Sequence, residues 1–193
     1  MNGLFHAAWE AEQFMRQQKW RFCLIGGLAV IRWGQPRATQ DVDFALLTGF
    51  GGEEAYVDRL LARFPARIKD AKDFALQHRV VLARTADGVS LDIALAGISF
   101  EEKVIDRASD FTFAEGLSLT TASAEDLLVL KAFAGRDQDW FDVRGIVARQ
   151  ENQLDWNYVL AELTFLSELK EDPDSLKRLE TIRQEGKSRA KQP

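Results

Sequence analysis

Leu24-Ile25-Gly26-Gly27-Leu28-Ala29-Val30-Ile31-Arg32-Trp33-Gly34-Gln35-Pro36-Arg37-Ala38-Thr39-Gln40-Asp41-Val42-Asp43-Phe44-Ala45-Leu46 is the stretch whose reading decides the fold. It starts as an apolar run that stops at a glycine pair. An apolar, helix-compatible segment follows, then a polar turn with Pro36. It closes on a second apolar run with two carboxylates inside it. Alternate side chains of a strand share a face. A strand over Asp41–Leu46 therefore turns Asp41 and Asp43 the same way and sends Val42 into the opposite layer. Thr39 joins the carboxylate face if the strand starts that early. Two like charges held so close repel unless a cation sits between them. Hard oxygen ligands on a rigid strand suit Mg²⁺, which needs few carboxylates when substrate phosphates complete its shell. Gly26 and Gly27 let backbone amides at a helix start approach an anion closely.

Gly26-Gly27, a gap of thirteen residues, then Asp41-Val42-Asp43 between apolar flanks resembles the signature of the DNA polymerase β-like nucleotidyltransferase superfamily. The string Arg37-Ala38-Thr39-Gln40-Asp41-Val42-Asp43 is similar to the branch holding the AbiEii-type toxins. Many superfamily members carry Gly-Ser. Here the second position is Gly27, so the phosphate-binding role falls to the backbone alone. A glycine pair or an Asp-x-Asp by itself is weak evidence. Their spacing and their strand–turn–helix context carry the resemblance.

A second stretch, Ser123 to Val143, also resembles that branch, with Lys131 on one helix, then Arg136, then Asp139 and Asp142 on the next. The resemblance makes Lys131 a point charge for triphosphate oxygens. Asp139 and Asp142 share a helical face at three-residue spacing and are placed to hold Lys131 or Arg136. Taken singly, a helix lysine is solvated and an early helical Asp complements the dipole.

Length and composition bound the rest. A chain of 193 residues, 46% hydrophobic, fits one domain, or one domain with a small appendage, around a real core. The net charge of −5 argues against a broadly basic nucleic-acid surface. The single cysteine, Cys23, lies in an apolar run and reads as a buried small hydrophobe; one cysteine fits a reducing cytoplasm. No stretch approaches a membrane span and no signal peptide is evident.

The pattern along the chain predicts a helix over Leu4–Gln18, a strand over Arg21–Ile25 and a helix over Leu28–Trp33. A flexible loop over Thr48–Gly52 and an amphipathic helix over Glu53–Phe64 follow. Asp73–His78 is ambiguous. Arg79–Thr85 and Val89–Leu95 read as a hairpin about Ala86-Asp87-Gly88. The return strand carries Asp92 between Leu91 and Ile93, an expensive placement unless something pairs with it. The superfamily resemblance makes Asp92 the third carboxylate of the metal site. Phe100–Ala108 reads as a helix, and Leu117–Thr120 as a last strand or an extended connector. Ser123 caps a helix over Ala124–Ala134. From Asp155 the chain reads as helical, with a break at Pro173. The basic run Lys187–Lys191 reads as a frayed end, with an electrostatic tether for RNA as the weaker alternative.

The expected fold is therefore α/β (α+β). A nucleotidyltransferase core with a small mixed sheet and helices spans 1–122, and a helical C-terminal part packed on it spans 123–193. The expected function is transfer of an NMP from an NTP to an acceptor hydroxyl. Asp41, Asp43 and Asp92 bind Mg²⁺ or Mn²⁺. Gly26, Gly27, Arg37, Thr39, Lys131, Asp139 and Asp142 serve the substrate. The resemblance to AbiEii-type toxins implies RNA, tRNA included, as acceptor and a cognate antitoxin as partner, and the lack of a spanning segment implies no membrane. Two rivals fit the same residues: a small-molecule nucleotidyltransferase of the aminoglycoside-modifying kind, and a catalytically silent binding module.

Overall fold

The computed structural model describes residues 3–150 and 152–189. Two compact units emerge. One comprises the described residues of Met1–Ala29 and Ala38–Ala122, the other those of Val30–Arg37 and Ser123–Pro193.

The first unit is built on a mixed six-stranded sheet. Its strands are β1 (Phe22–Ile25), β2 (Asp41–Leu47), β3 (Val80–Arg84), β4 (Ser90–Ala96), β5 (Ser109–Ala114) and β6 (Leu117–Thr121), in the spatial order β3-β4-β2-β1-β6-β5. β2 runs parallel to β4, and β1 parallel to β6; the other neighbours are antiparallel. The alternation seen in the sequence sets the layers. Leu24, Val42, Phe44, Leu46, Leu91, Ile93 and Leu95 are buried side chains of a single face. Each contributes about 1.5–3 kcal/mol by leaving water.

Helices α1 (Gly3–Gln17) and α5 (Ser99–Asp106) pack against the central strands, and α3 (Glu53–Arg63) and α4 (Ala71–His78) against β3. α1 buries Ala7, Ala8, Ala11 and Met15 at helical spacing. Phe14 meets Phe64 edge-on at 5.6 Å. α4 settles the ambiguous stretch as a helix bounded at both ends by left-handed residues, Asp70 and Arg79. Arg79 thus caps a helix instead of opening a strand. Its guanidinium donates to the carbonyls of Leu95 and Gly49 and stacks on Phe50 at 4.4 Å, which ties down the 48–52 loop.

Of the two readings offered for Leu117–Thr120 the strand holds, and one further strand goes beyond the sequence reading. Leu117–Thr121 is a strand, and it pairs with β5, which the pattern left unassigned. β5 is an edge strand with mostly exposed side chains, so it lacks the buried face that makes a strand legible. The turn between them needs Gly116, whose φ is +74°.

α2 (Gly26–Trp33) starts in the first unit and ends in the second. The second unit adds α6 (Ala124–Ala134), α7 (Asp137–Gln150), α8 (Trp156–Lys170) and α9 (Asp174–Arg189). Ser123 caps α6 as expected, its Oγ accepting from the Asp126 amide at 3.1 Å. Asp155 caps α8. Gly145 lets α7 close on the Val30–Arg37 segment: a Cβ there would stand 2.9 Å from the Gln35 nitrogen. Arg149 Nη1 donates to the Gly34 carbonyl at 2.5 Å. α9 runs through Arg189, so the basic run is helical that far; Ala190 and Lys191 lie outside the described residues. No helix among the described residues is long and apolar enough to cross a membrane.

Candidate active site

Parallel pairing of β2 with β4 is what assembles the site. The register sets Asp43 opposite Asp92 and Asp41 opposite Ser90. Directly paired residues share a face. All three carboxylates therefore lie on the face opposite Val42, Phe44, Leu91 and Ile93. One oxygen from each of Asp41, Asp43 and Asp92 lies within 4.8 Å of the other two. Each side chain is half-buried, open enough to meet a ligand.

The glycine pair borders this face. β1 delivers Gly26 beside β2, because Ile25 is the register partner of Asp43. Gly26 has φ +64°, a conformation glycine takes without strain. A Cβ built there would lie 2.6 Å from Asp43 Cβ and closer still to the carboxylate. A Cβ on Gly27 would lie 2.5 Å from Thr39 Oγ1 and 2.8 Å from Thr39 Cβ. Thr39 thus fills the room a side chain at position 27 would take, and a serine there would have to displace it. Thr39 precedes the strand, yet its hydroxyl joins the carboxylate face by donating to Asp41 Oδ1 at 2.8 Å.

Asp92 also accepts an ion-paired hydrogen bond from Arg67 Nη2. Burial pushes the Asp92 carboxyl above its ordinary range. Arg67 pulls it back, the charge of Asp41 adds to the rise, and the net direction is up. Arg67 escaped the sequence reading because it lies between α3 and α4 and reaches Asp92 only through the sheet.

In the second unit, Lys131, Asp139, Asp142 and Arg37 converge on one another. Lys131 Nζ lies 3.0 Å from Asp139 Oδ1 and 3.0 Å from Asp142 Oδ2. Arg37 grips Asp142 with two bonds, Nε to Oδ1 at 2.7 Å and Nη2 to Oδ2 at 2.9 Å. Arg136 Nε donates to Asp139 Oδ2 at 2.6 Å. The Lys131 side chain is only 8% exposed and the two aspartates about 1% or less, so this lysine is not solvated. Burial raises both carboxyls, but the cations outweigh it and hold Asp139 and Asp142 below the usual range: Arg136 with Lys131 for the first, Arg37 with Lys131 for the second. The sequence placed these aspartates to hold Lys131 or Arg136, and they hold both.

Comparison with known proteins bears on this geometry. The crystal structure of an antigenic nucleotidyltransferase-like protein from Paracoccidioides brasiliensis superposes with a TM-score of 0.51 at 16% identity, covering 92% of each chain. It shows a shared fold. The lincomycin-bound lincosamide antibiotic adenylyltransferase LnuA gives 0.47 at 14% identity over 72% of this chain and 92% of its own. The antibiotic-resistance factor ANT(2'')-Ia gives 0.40 at 17% identity over 92% and 88%. No curated protein is a significant sequence match. A family described as "Nucleotidyltransferase of unknown function (DUF6036)" matches residues 2–189.

Proposed function

The chain belongs to that nucleotidyltransferase family, and from this premise we propose that it moves a nucleoside monophosphate from an NTP to an acceptor hydroxyl at the Asp41–Asp43–Asp92 face. The observation that carries the proposal is the convergence of the three carboxylates, from two strands far apart in sequence, within 4.8 Å beside the start of α2. Oxygen donors at that separation fit Mg²⁺ or Mn²⁺, hard cations that bind through few carboxylates and share their shell with phosphates. Asp41, Asp43 and Asp92 would hold such a cation, which would supply positive charge to the phosphoryl group during transfer.

The chain's own residues do the rest. Thr39 fixes Asp41 by holding Oδ1, which leaves Oδ2 to turn to the ligand. Gly26 and Gly27 keep side chains away from the phosphates, so the amides at the head of α2 can approach them. Asp92, with a carboxyl raised by burial, orients the acceptor hydroxyl and takes its proton. Positioning and charge carry most of the rate, and no covalent intermediate on the chain is needed.

The resemblance of Arg37–Asp43 and Ser123–Val143 to AbiEii-type toxins supports RNA, tRNA included, as the acceptor and a cognate antitoxin as partner. One experiment tests both levels. The protein is incubated with each labelled NTP, Mg²⁺ and total RNA, with and without EDTA. Chelator-sensitive label in RNA supports the full reading. Label in protein or small molecules keeps the transferase and replaces the acceptor. No transfer from any NTP, together with equal NTP affinity with and without EDTA, overturns the proposal in favour of a binding module.

A further inference from the structure

We propose that Arg67 is a positioning residue of the carboxylate face: it holds Asp92 in place when no divalent cation is bound and yields Asp92 when one binds. This rests on the reading of Asp41, Asp43 and Asp92 as cation ligands.

The backbone delivers Arg67 to one row of the sheet. Ala66 forms an isolated antiparallel bridge with Ala83 at the free edge of β3. Arg67 N donates to the Leu82 carbonyl at 3.0 Å, and Arg84 N to the Pro65 carbonyl at 2.9 Å. Leu82 is the register partner of Asp92, and Asp92 is the partner of Asp43. Arg67, Leu82, Asp92 and Asp43 thus form a line across three strands. The Arg67 side chain crosses Leu82 to reach Asp92 Oδ1. Bridge and hydrogen bonds are made by the backbone, so the guanidinium is anchored at its root and movable at its head.

Exposure separates this pair from a structural one. Arg67 and Asp92 side chains are 28% and 30% exposed, whereas Asp139 and Asp142 are nearly closed to solvent. An ion pair so exposed is worth little and opens readily. The bond also leaves Asp92 within reach of its neighbours, because its oxygen still lies within 4.8 Å of those of Asp41 and Asp43. A guanidinium on one ligand of a cation site competes with the cation, by charge and by occupying the oxygen. Without Arg67, Asp92 faces the charge of Asp41 with nothing to balance it until a cation arrives.

The test uses Mn²⁺ alone as the probe and the full chain stripped of metal. Calorimetry compares wild type, Arg67→Gln, Arg67→Lys and Asp41→Asn. Arg67→Gln should bind Mn²⁺ about fivefold more tightly than wild type, the upper worth of an exposed ion pair. Arg67→Lys, which keeps the charge, should stay near wild type. The thermal midpoint of metal-free Arg67→Gln should be lower, and Mn²⁺ should raise it further than it raises wild type. Circular dichroism checks the fold, and Arg67→Met carries the same expectation should the glutamine variant not fold. Equal or weaker Mn²⁺ binding by Arg67→Gln, with wild type binding and Asp41→Asn not, overturns the role of Arg67 and leaves the cation site standing. No Mn²⁺ binding by either wild type or Arg67→Gln overturns both.

Discussion

Gly26 and Asp43 stand so close that a side chain at position 26 must displace Asp43: a Cβ there would fall 2.6 Å from Asp43 Cβ and nearer still to its carboxylate. The glycine that opens α2 and the carboxylate inside β2 are one device. Gly26→Ala must therefore displace Asp43, and it adds the cost of a left-handed alanine, about 1–2 kcal/mol. The expected outcome is loss of divalent-cation binding and of transfer, with a thermal midpoint lowered by several degrees. A Gly26→Ala protein with unchanged midpoint and activity would separate Asp43 from the chemistry.

Asp41→Asn removes a charge at nearly constant shape. Thr39 can still donate to the remaining side-chain oxygen, and repulsion toward Asp92 falls. Transfer should be abolished while the metal-free protein unfolds at the same temperature or slightly higher. Calorimetric unfolding beside a transfer assay reads both, and full activity in this variant would remove Asp41 from the site.

The site was legible where periodicity and composition agreed. Asp41 and Asp43 flank a fully buried Val42 and precede a fully buried Phe44, so strand parity alone gave their shared face. Asp92 stood out as a carboxylate between Leu91 and Ile93. The parallel pairing that joins the two strands is tertiary, and no local pattern states it. Less legible were features that local pattern does not encode. β5 hides no face. α4 begins and ends on left-handed residues that are not glycine. Arg67 meets Asp92 only through the register of three strands. Lys131 looks like a surface lysine, but α6 is buried nearly all round, so its ammonium needs carboxylate partners inside the unit.

That burial changes what Lys131 is expected to show when replaced. A lysine offered only to triphosphate oxygens would lose turnover and keep its stability. Lys131→Met instead leaves Asp139 and Asp142 short of a shared cation in a nearly closed environment. Breaking such a pair costs about 3–5 kcal/mol, here at the lower end because Arg37 and Arg136 remain. Urea unfolding should show a lower midpoint with an unchanged m-value. An unaltered midpoint would mean that the cluster contributes nothing to stability.

The same cluster sets an acid limit. Asp139 and Asp142 have folded-state carboxyls below their ordinary values, because the hydrogen bonds and charges of Lys131, Arg136 and Arg37 outweigh burial. A carboxyl depressed in the folded state stabilises it at every pH above the unfolded value, near 3.9. That stability drains away as the pH falls through the folded value. The contribution of this cluster should therefore be flat from pH 7 to about 5 and fall steeply below about 4. The two pairs are buried, so moderate salt should shift this limb little. In Asp142→Asn the group that must take up a proton is gone: the variant should start less stable at pH 7, with Arg37 and Lys131 deprived of a partner, and should lose less on acidification. Thermal unfolding followed by circular dichroism from pH 7 to pH 2 measures both slopes. If the acid limbs of wild type and Asp142→Asn are parallel, the carboxylate of Asp142 is not what acid attacks.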